Sequence, residues 1–227
     1  MELQPRLIAV RTPREPRGVV LVLHGGAARR EAVAVSPTQL SVLRMVPIAR
    51  RIARSRDLAV FRLLNSRRGW AQGDTPLADV RWALAQVREQ YGELPVVLVG
   101  HSLGGRAALL ASTERGVVGA VALNAYLLPG DETLDPAGRR LLFVHGTDDR
   151  IASLPRAQST ADRLARRTEV EFRVVEGGKH AMLRHGATFD RAAADFAARV
   201  LTDASPAASP AASPAPPDRR GAPRTTP

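Results

Sequence analysis

The chain contains no cysteine. That excludes disulfides, a thiolate nucleophile and cysteine-based metal sites, and it makes a cytoplasmic location the default expectation. Long apolar runs are missing too. The longest informative uncharged stretch, residues 116–130, is 15 residues long and is broken by Asn124 and Pro129. It is too short and too interrupted to span a bilayer, so no membrane partner is expected. Residues 1–10 carry charges and a proline where an export signal would have its apolar core, so no export signal is expected. Lysine is almost absent: of 33 basic residues, 32 are arginine and one is Lys179. So lopsided a ratio reads first as a compositional habit. The net charge of +11 is nevertheless uneven, because residues 1–68 hold 14 arginines against four acids. Such a basic balance suggests nucleic acid. That stretch has only Phe61 as an aromatic, however, with no zinc-ligand spacing and no recognition-helix pattern. No nucleic-acid partner is expected.

What is present suits one soluble domain. The 227 residues are 44% hydrophobic and 24% charged, enough to bury a sizeable core. Residues 202–227 differ from the rest, with seven prolines, seven alanines and a repeated Ser-Pro-Ala-Ala unit. Lacking large apolar side chains, this tail is expected to be disordered, which leaves a folded domain at 1–201. Within that domain, apolar strand-length runs at 18–23, 58–64, 95–99, 117–123, 141–144 and 170–175 alternate with amphipathic segments. Helices are expected from Pro47 to 53, from Thr75 through Val87, and at 106–112, 155–166 and 187–201. Strands buried on both faces and alternating with helices predict an α/β fold, a mostly parallel sheet with helices on both faces. Residues 3–10 add a possible antiparallel edge strand. Chemistry in such sheets gathers beyond the carboxyl ends of the strands.

The reactive residue types fall there. Gly100-His101-Ser102-Leu103-Gly104 lies between a strand and a helix, the setting of a nucleophile elbow. The turn is so tight that side chains at Gly100 and Gly104 would collide, and the serine is strained with its hydroxyl projecting. The bland alternative is a glycine-rich turn. A serine hydroxyl needs a base. His180 follows the last strand through Gly177-Gly178-Lys179, a flexible loop at the correct end of the sheet, and is the expected base; His185 is the alternative. His24 and His145 each end a strand, where bonding to loop backbone is the expected role. The orienting carboxylate is expected in His145-Gly146-Thr147-Asp148-Asp149, where the residues alone leave Asp148 and Asp149 both open. Oxyanion N–H donors are expected from Leu103, the residue after the nucleophile, and from Gly26 in the His24-Gly25-Gly26 loop.

Taken together, these features resemble the α/β-hydrolase superfamily: the order Ser, Asp, His along the chain, the Gly-His-Ser-Leu-Gly-Gly elbow, the His-Gly-Gly loop and the His-Gly-x-x-Asp acid loop. The resemblance covers about residues 5–201. It implies Asp149 as the acid, because the family places it fifth in that last motif. Only 12 residues, 129–140, stand where many relatives insert a helical cap. The chain is therefore similar to small capless members, the dienelactone-hydrolase-like esterases and small thioesterases, although Ser102 stands where dienelactone hydrolases carry cysteine. Arg67-Arg68-Gly69-Trp70 resembles a loop that relatives place beside the site, which makes Trp70 a candidate lining of the acyl pocket, with packing as the alternative. The resemblance implies hydrolysis of an ester or thioester through an acyl-enzyme, with no metal or organic cofactor. A non-hydrolytic acyl-transferase or cyclase and a silent ligand-binding relative remain open. Charge at 29–68, including Arg50 and Arg54, would favour an anionic acyl donor such as acyl-CoA or an acyl carrier protein if it faced the site.

Overall fold

A computed structural model describes residues 3–26, 34–69 and 75–204. Strand β2 (Gly18–Leu23) shows why the sheet forms. All six residues are buried, and the side chains alternate between two cores. Val19, Leu21 and Leu23 face one core, Val20 and Val22 the other. Such a strand is stable only between two helical layers.

The chain supplies both layers. Seven strands form one sheet in the order β1-β3-β2-β4-β5-β6-β7. They are β1 (Arg6–Arg11), β2, β3 (Leu58–Leu64), β4 (Val96–His101), β5 (Val117–Leu123), β6 (Arg140–Gly146) and β7 (Glu169–Val175). β1 pairs antiparallel with β3, and the other pairings are parallel. Helices α2 (Met45–Ile52) and α6 (Gly186–Ala204) contribute Ile48, Ile52, Phe189 and Phe196 to one core. Helices α3 (Thr75–Tyr91), α4 (Leu103–Leu110) and α5 (Leu154–Leu164) cover the opposite face. The path reverses direction across the sheet between β2→β3 and β3→β4, so β2 and β4 flank a topological switch point. Ligands bind beyond the carboxyl ends of strands at such points.

Several boundaries differ from the expected ones. A short helix α1 (Leu40–Leu43) precedes α2, and α2 begins at Met45, two residues before Pro47. Proline is tolerated there because first-turn N–H groups have no intrahelical acceptor. β4 runs through His101 and α4 begins at Leu103, so the strand-to-helix turn is Ser102 alone. The connection from β5 to β6 holds a single 3-10 turn, Asp131–Thr133, and no cap. α6 extends to Ala204, and the tail beyond it lies outside the described residues.

Candidate active site

A one-residue turn between a strand and a helix forces Ser102 into φ 56°, ψ −122°, a conformation costly for any side-chain-bearing residue. Three backbone hydrogen bonds hold it there. Ser102 N–H donates to Leu123 O at 3.0 Å, and Ser102 O accepts from Arg106 N and Tyr126 N, each at 3.1 Å. The flanking glycines are required by close approach. A Cβ on Gly100 would lie 2.0 Å from Gly104 O, and one on Gly104 would lie 2.5 Å from His24 O. The hydroxyl does not stand free as the elbow motif suggests. Ser102 is only 8% exposed, and a Cβ on Gly25 would lie 3.3 Å from the Ser102 Cβ.

Two loops from neighbouring strands meet this hydroxyl. His180, after β7, places Nε2 3.0 Å from Ser102 Oγ, and its Nδ1 lies 2.8 Å from Asp149 Oδ2. An ionised carboxylate only accepts, so Nδ1 carries the proton and Nε2 is left to accept from the serine hydroxyl. The Asp149 side chain is fully buried. Burial pushes its carboxyl up, but the hydrogen bonds from His180 and from the N–H groups of Ala152 and Ile151 outweigh it and hold the carboxyl below its usual range. Asp148 is exposed and contributes its backbone N–H to Gly178 O. His185 sits beside Gly177, away from the serine. His24 and His145 are buried and bond to loop backbone, at Gly25 O and Asn65 N and at Ala152 O respectively.

The two oxyanion candidates are neighbours. Leu103 is the first residue of α4, so its N–H lacks an intrahelical partner. Gly26 lies against it: a Cβ there would be 3.7 Å from the Leu103 side chain and 2.5 Å from Arg68 O. Only glycine lets the two loops approach so closely. Among the described residues, no group of three or more His, Asp or Glu side chains could hold a metal ion.

Two further residues, which sequence reasoning did not assign to the site, tie its loops together. Asn124, fully buried just past β5, accepts from Gly146 N–H at 2.9 Å and donates to Lys179 O at 3.1 Å. One amide thus joins the acid loop to the base loop. His101 Nε2 donates to His180 O at 2.8 Å, so the carbonyl of the base is fixed from the residue preceding the serine. Burial, with the charges of His180 and Arg44, pushes the His101 imidazole down to about 3 and keeps it neutral. The glycines of these loops are packed face to face as well. A Cβ on Gly146 would lie 2.1 Å from Gly178 O. The loop before His180 is therefore tightly packed, where its glycines alone suggested flexibility. The available signal for Asn124 was a polar residue directly after a run of buried strand residues.

A family model described as "Alpha/beta hydrolase family" matches residues 81–194, half of the chain. The chain belongs to the alpha/beta hydrolase family. Among solved structures, it is similar to a propionate-bound esterase from Thermogutta terrifontis, at 16% identity and TM-score 0.68, covering 88% of this chain and 89% of that one. The ferulic-acid-bound esterase from Butyrivibrio proteoclasticus aligns at 13% identity and TM-score 0.66, over 87% and 96% of the two chains. A serine hydrolase homologue from Coxiella burnetii aligns at 15% identity and TM-score 0.66, over 85% and 91%. At these identities the likeness establishes the fold. No curated protein sequence matches the chain.

The residues that follow His180 line a largely apolar cavity. It measures about 340 Å³ and opens beside Ala181, Met182 and Leu183, and α1 and α2 close its far side. Arg44 lines it, whereas the exposed Arg50 and Arg54 do not. Trp70 lies outside the described residues. No helix among the described residues is long and apolar enough to cross a membrane.

Proposed function

We propose that the protein is a serine hydrolase that cleaves a carboxylic ester or thioester through an acyl-enzyme. The observation that carries this reading is the unbroken line Ser102 Oγ, His180 Nε2, His180 Nδ1, Asp149 Oδ2, with steps of 3.0 and 2.8 Å across the ring. These are the distances proton transfer requires. In this reading Ser102 Oγ attacks the acyl carbon as His180 takes its proton. The bond to the leaving oxygen or sulfur then breaks, and His180 passes the proton to that atom. Water, deprotonated by the same imidazole, releases the acid and restores the serine. Asp149 orients the ring and stabilises its charged form. The N–H groups of Leu103 and Gly26 hold the oxyanion.

Fluorophosphonate labelling tests the nucleophile, and a panel of p-nitrophenyl esters and acyl thioesters of graded length tests the reaction. Wild-type protein is expected to carry one adduct, on Ser102. Ser102→Ala is expected to lose the adduct and at least about 10³-fold in turnover. Esterase activity near wild type in Ser102→Ala overturns the reading. An adduct without turnover on any member of the panel indicates an acyl-transferase instead.

A further inference from the structure

We infer that the cavity beside the base loop receives the leaving alcohol of the substrate, and that this alcohol is an extended apolar group. The inference rests on the hydrolase reading above and adds the substrate class. Its first premise is directional. The proton held on His180 Nε2 must reach the leaving oxygen, so that oxygen departs on the imidazole side of Ser102. The cavity of about 340 Å³ is lined by Ala181, Met182 and Leu183, the three residues that follow His180. The cavity touching Gly26 and Leu103 on the oxyanion side measures about 10 Å³, the room of a single water.

The second premise is the character of the walls. Leu40 and Leu183 are 76% and 80% exposed, and Leu43 is 45% exposed. Among the described residues, three of the six exposed large hydrophobic side chains thus gather at this one rim. Met182, buried beneath them, sits at φ +56°, a strained conformation two residues past the base. Strain of that kind persists where surrounding structure fixes a functional surface. Two polar groups interrupt the apolar lining. They are Arg44 and Asp190.

Octyl acetate and ethyl octanoate test the assignment, because they are isomers of equal apolarity that differ only in which side of the ester is long. The expected kcat/KM ratio of octyl acetate to ethyl octanoate is about tenfold or more, in line with the worth of a few methylenes in an apolar pocket. Leu40→Ser with Leu183→Ser is expected to lower that ratio about tenfold. Both side chains are exposed, so folding is preserved, and a thermal melt verifies this. A ratio at or below one, or a ratio indifferent to the two leucine substitutions, overturns the assignment while the hydrolase reading stands. Absence of both hydrolysis and a fluorophosphonate adduct removes the hydrolase reading and this inference with it.

Discussion

Gly146→Ala probes how the acid and base loops are held against each other. A Cβ at this position would sit 2.1 Å from Gly178 O and 2.4 Å from Gly178 C, whereas real Cβ atoms essentially never approach within 3.0 Å. Both neighbours are backbone atoms, so no side chain can rotate away. The loops must separate by about 0.9 Å or more. Gly178 precedes His180 by two residues and Gly146 precedes Asp149 by three, so the separation falls directly on the 2.8 Å contact between His180 and Asp149. Widened by that amount, the contact is no longer a hydrogen bond. The hydrogen bond from Gly146 N to Asn124 is strained by the same movement. A displacement of about 1 Å costs about 10²-fold in rate. Overpacking of this kind costs about 1–3 kcal/mol, which for a chain of this size lowers Tm by about 3–10 °C. The assay is kcat/KM on a short p-nitrophenyl ester, with the rate of fluorophosphonate labelling and the melting curve measured alongside. A variant that melts within 2 °C of wild type and keeps more than a third of kcat/KM refutes the argument that glycine-on-glycine contact sets the base.

Asp149→Asn is expected to lower kcat about 10³–10⁴-fold, because the amide favours the wrong imidazole tautomer. Asp148→Asn, in an exposed side chain, is expected to stay within a few-fold; the reverse order shifts the acid by one residue. Asn124→Asp keeps the acceptor for Gly146 N–H but replaces the amide donor that serves Lys179 O, and about a tenfold to hundredfold drop in kcat with little change in KM is expected. Rescue of the rate by Asn124→Gln is not expected, because the longer side chain cannot reach both loops from the same place, and wild-type kcat in Asn124→Asp would assign Asn124 to stability alone. If the exposed Arg50 and Arg54 attract an anionic acyl donor, kcat/KM for an acyl-CoA falls several-fold between low and moderate salt while a neutral ester of the same acyl group barely changes. Arg50→Glu with Arg54→Glu reproduces that selective loss; equal salt responses for both substrates leave these arginines as ordinary surface.

The parts of this molecule that could be read in advance are those whose physics is local. Val19 to Leu23 announce a strand covered on both faces, because every residue in the run is apolar and both faces must go somewhere. Gly100 and Gly104 announce the elbow, because a one-residue turn excludes side chains on either side. The choice between Asp148 and Asp149 was not local. Both suit a loop, and only the family pattern separated them. In the structure the separation comes from Ile151 and Ala152, whose N–H groups turn the Asp149 carboxylate inward.

Asn124 and Gly178 show what remains hidden from sequence reading and why. Asn124 acts on partners 22 and 55 residues away, at Gly146 and Lys179. Nothing in its own neighbourhood distinguishes it from a polar residue that happens to end a strand. Gly178 was legible as a glycine but not as a contact. The same absence of a side chain permits flexibility in an open loop and close approach in a packed one, and only the position of Gly146 across the gap decides between them. The two residues have one requirement in common. Ser102 after β4, Asp149 after β6 and His180 after β7 arrive on three separate loops, so their register must be fixed by contacts between those loops. In this chain that register passes through a buried amide, a neutral imidazole and a pair of facing glycines.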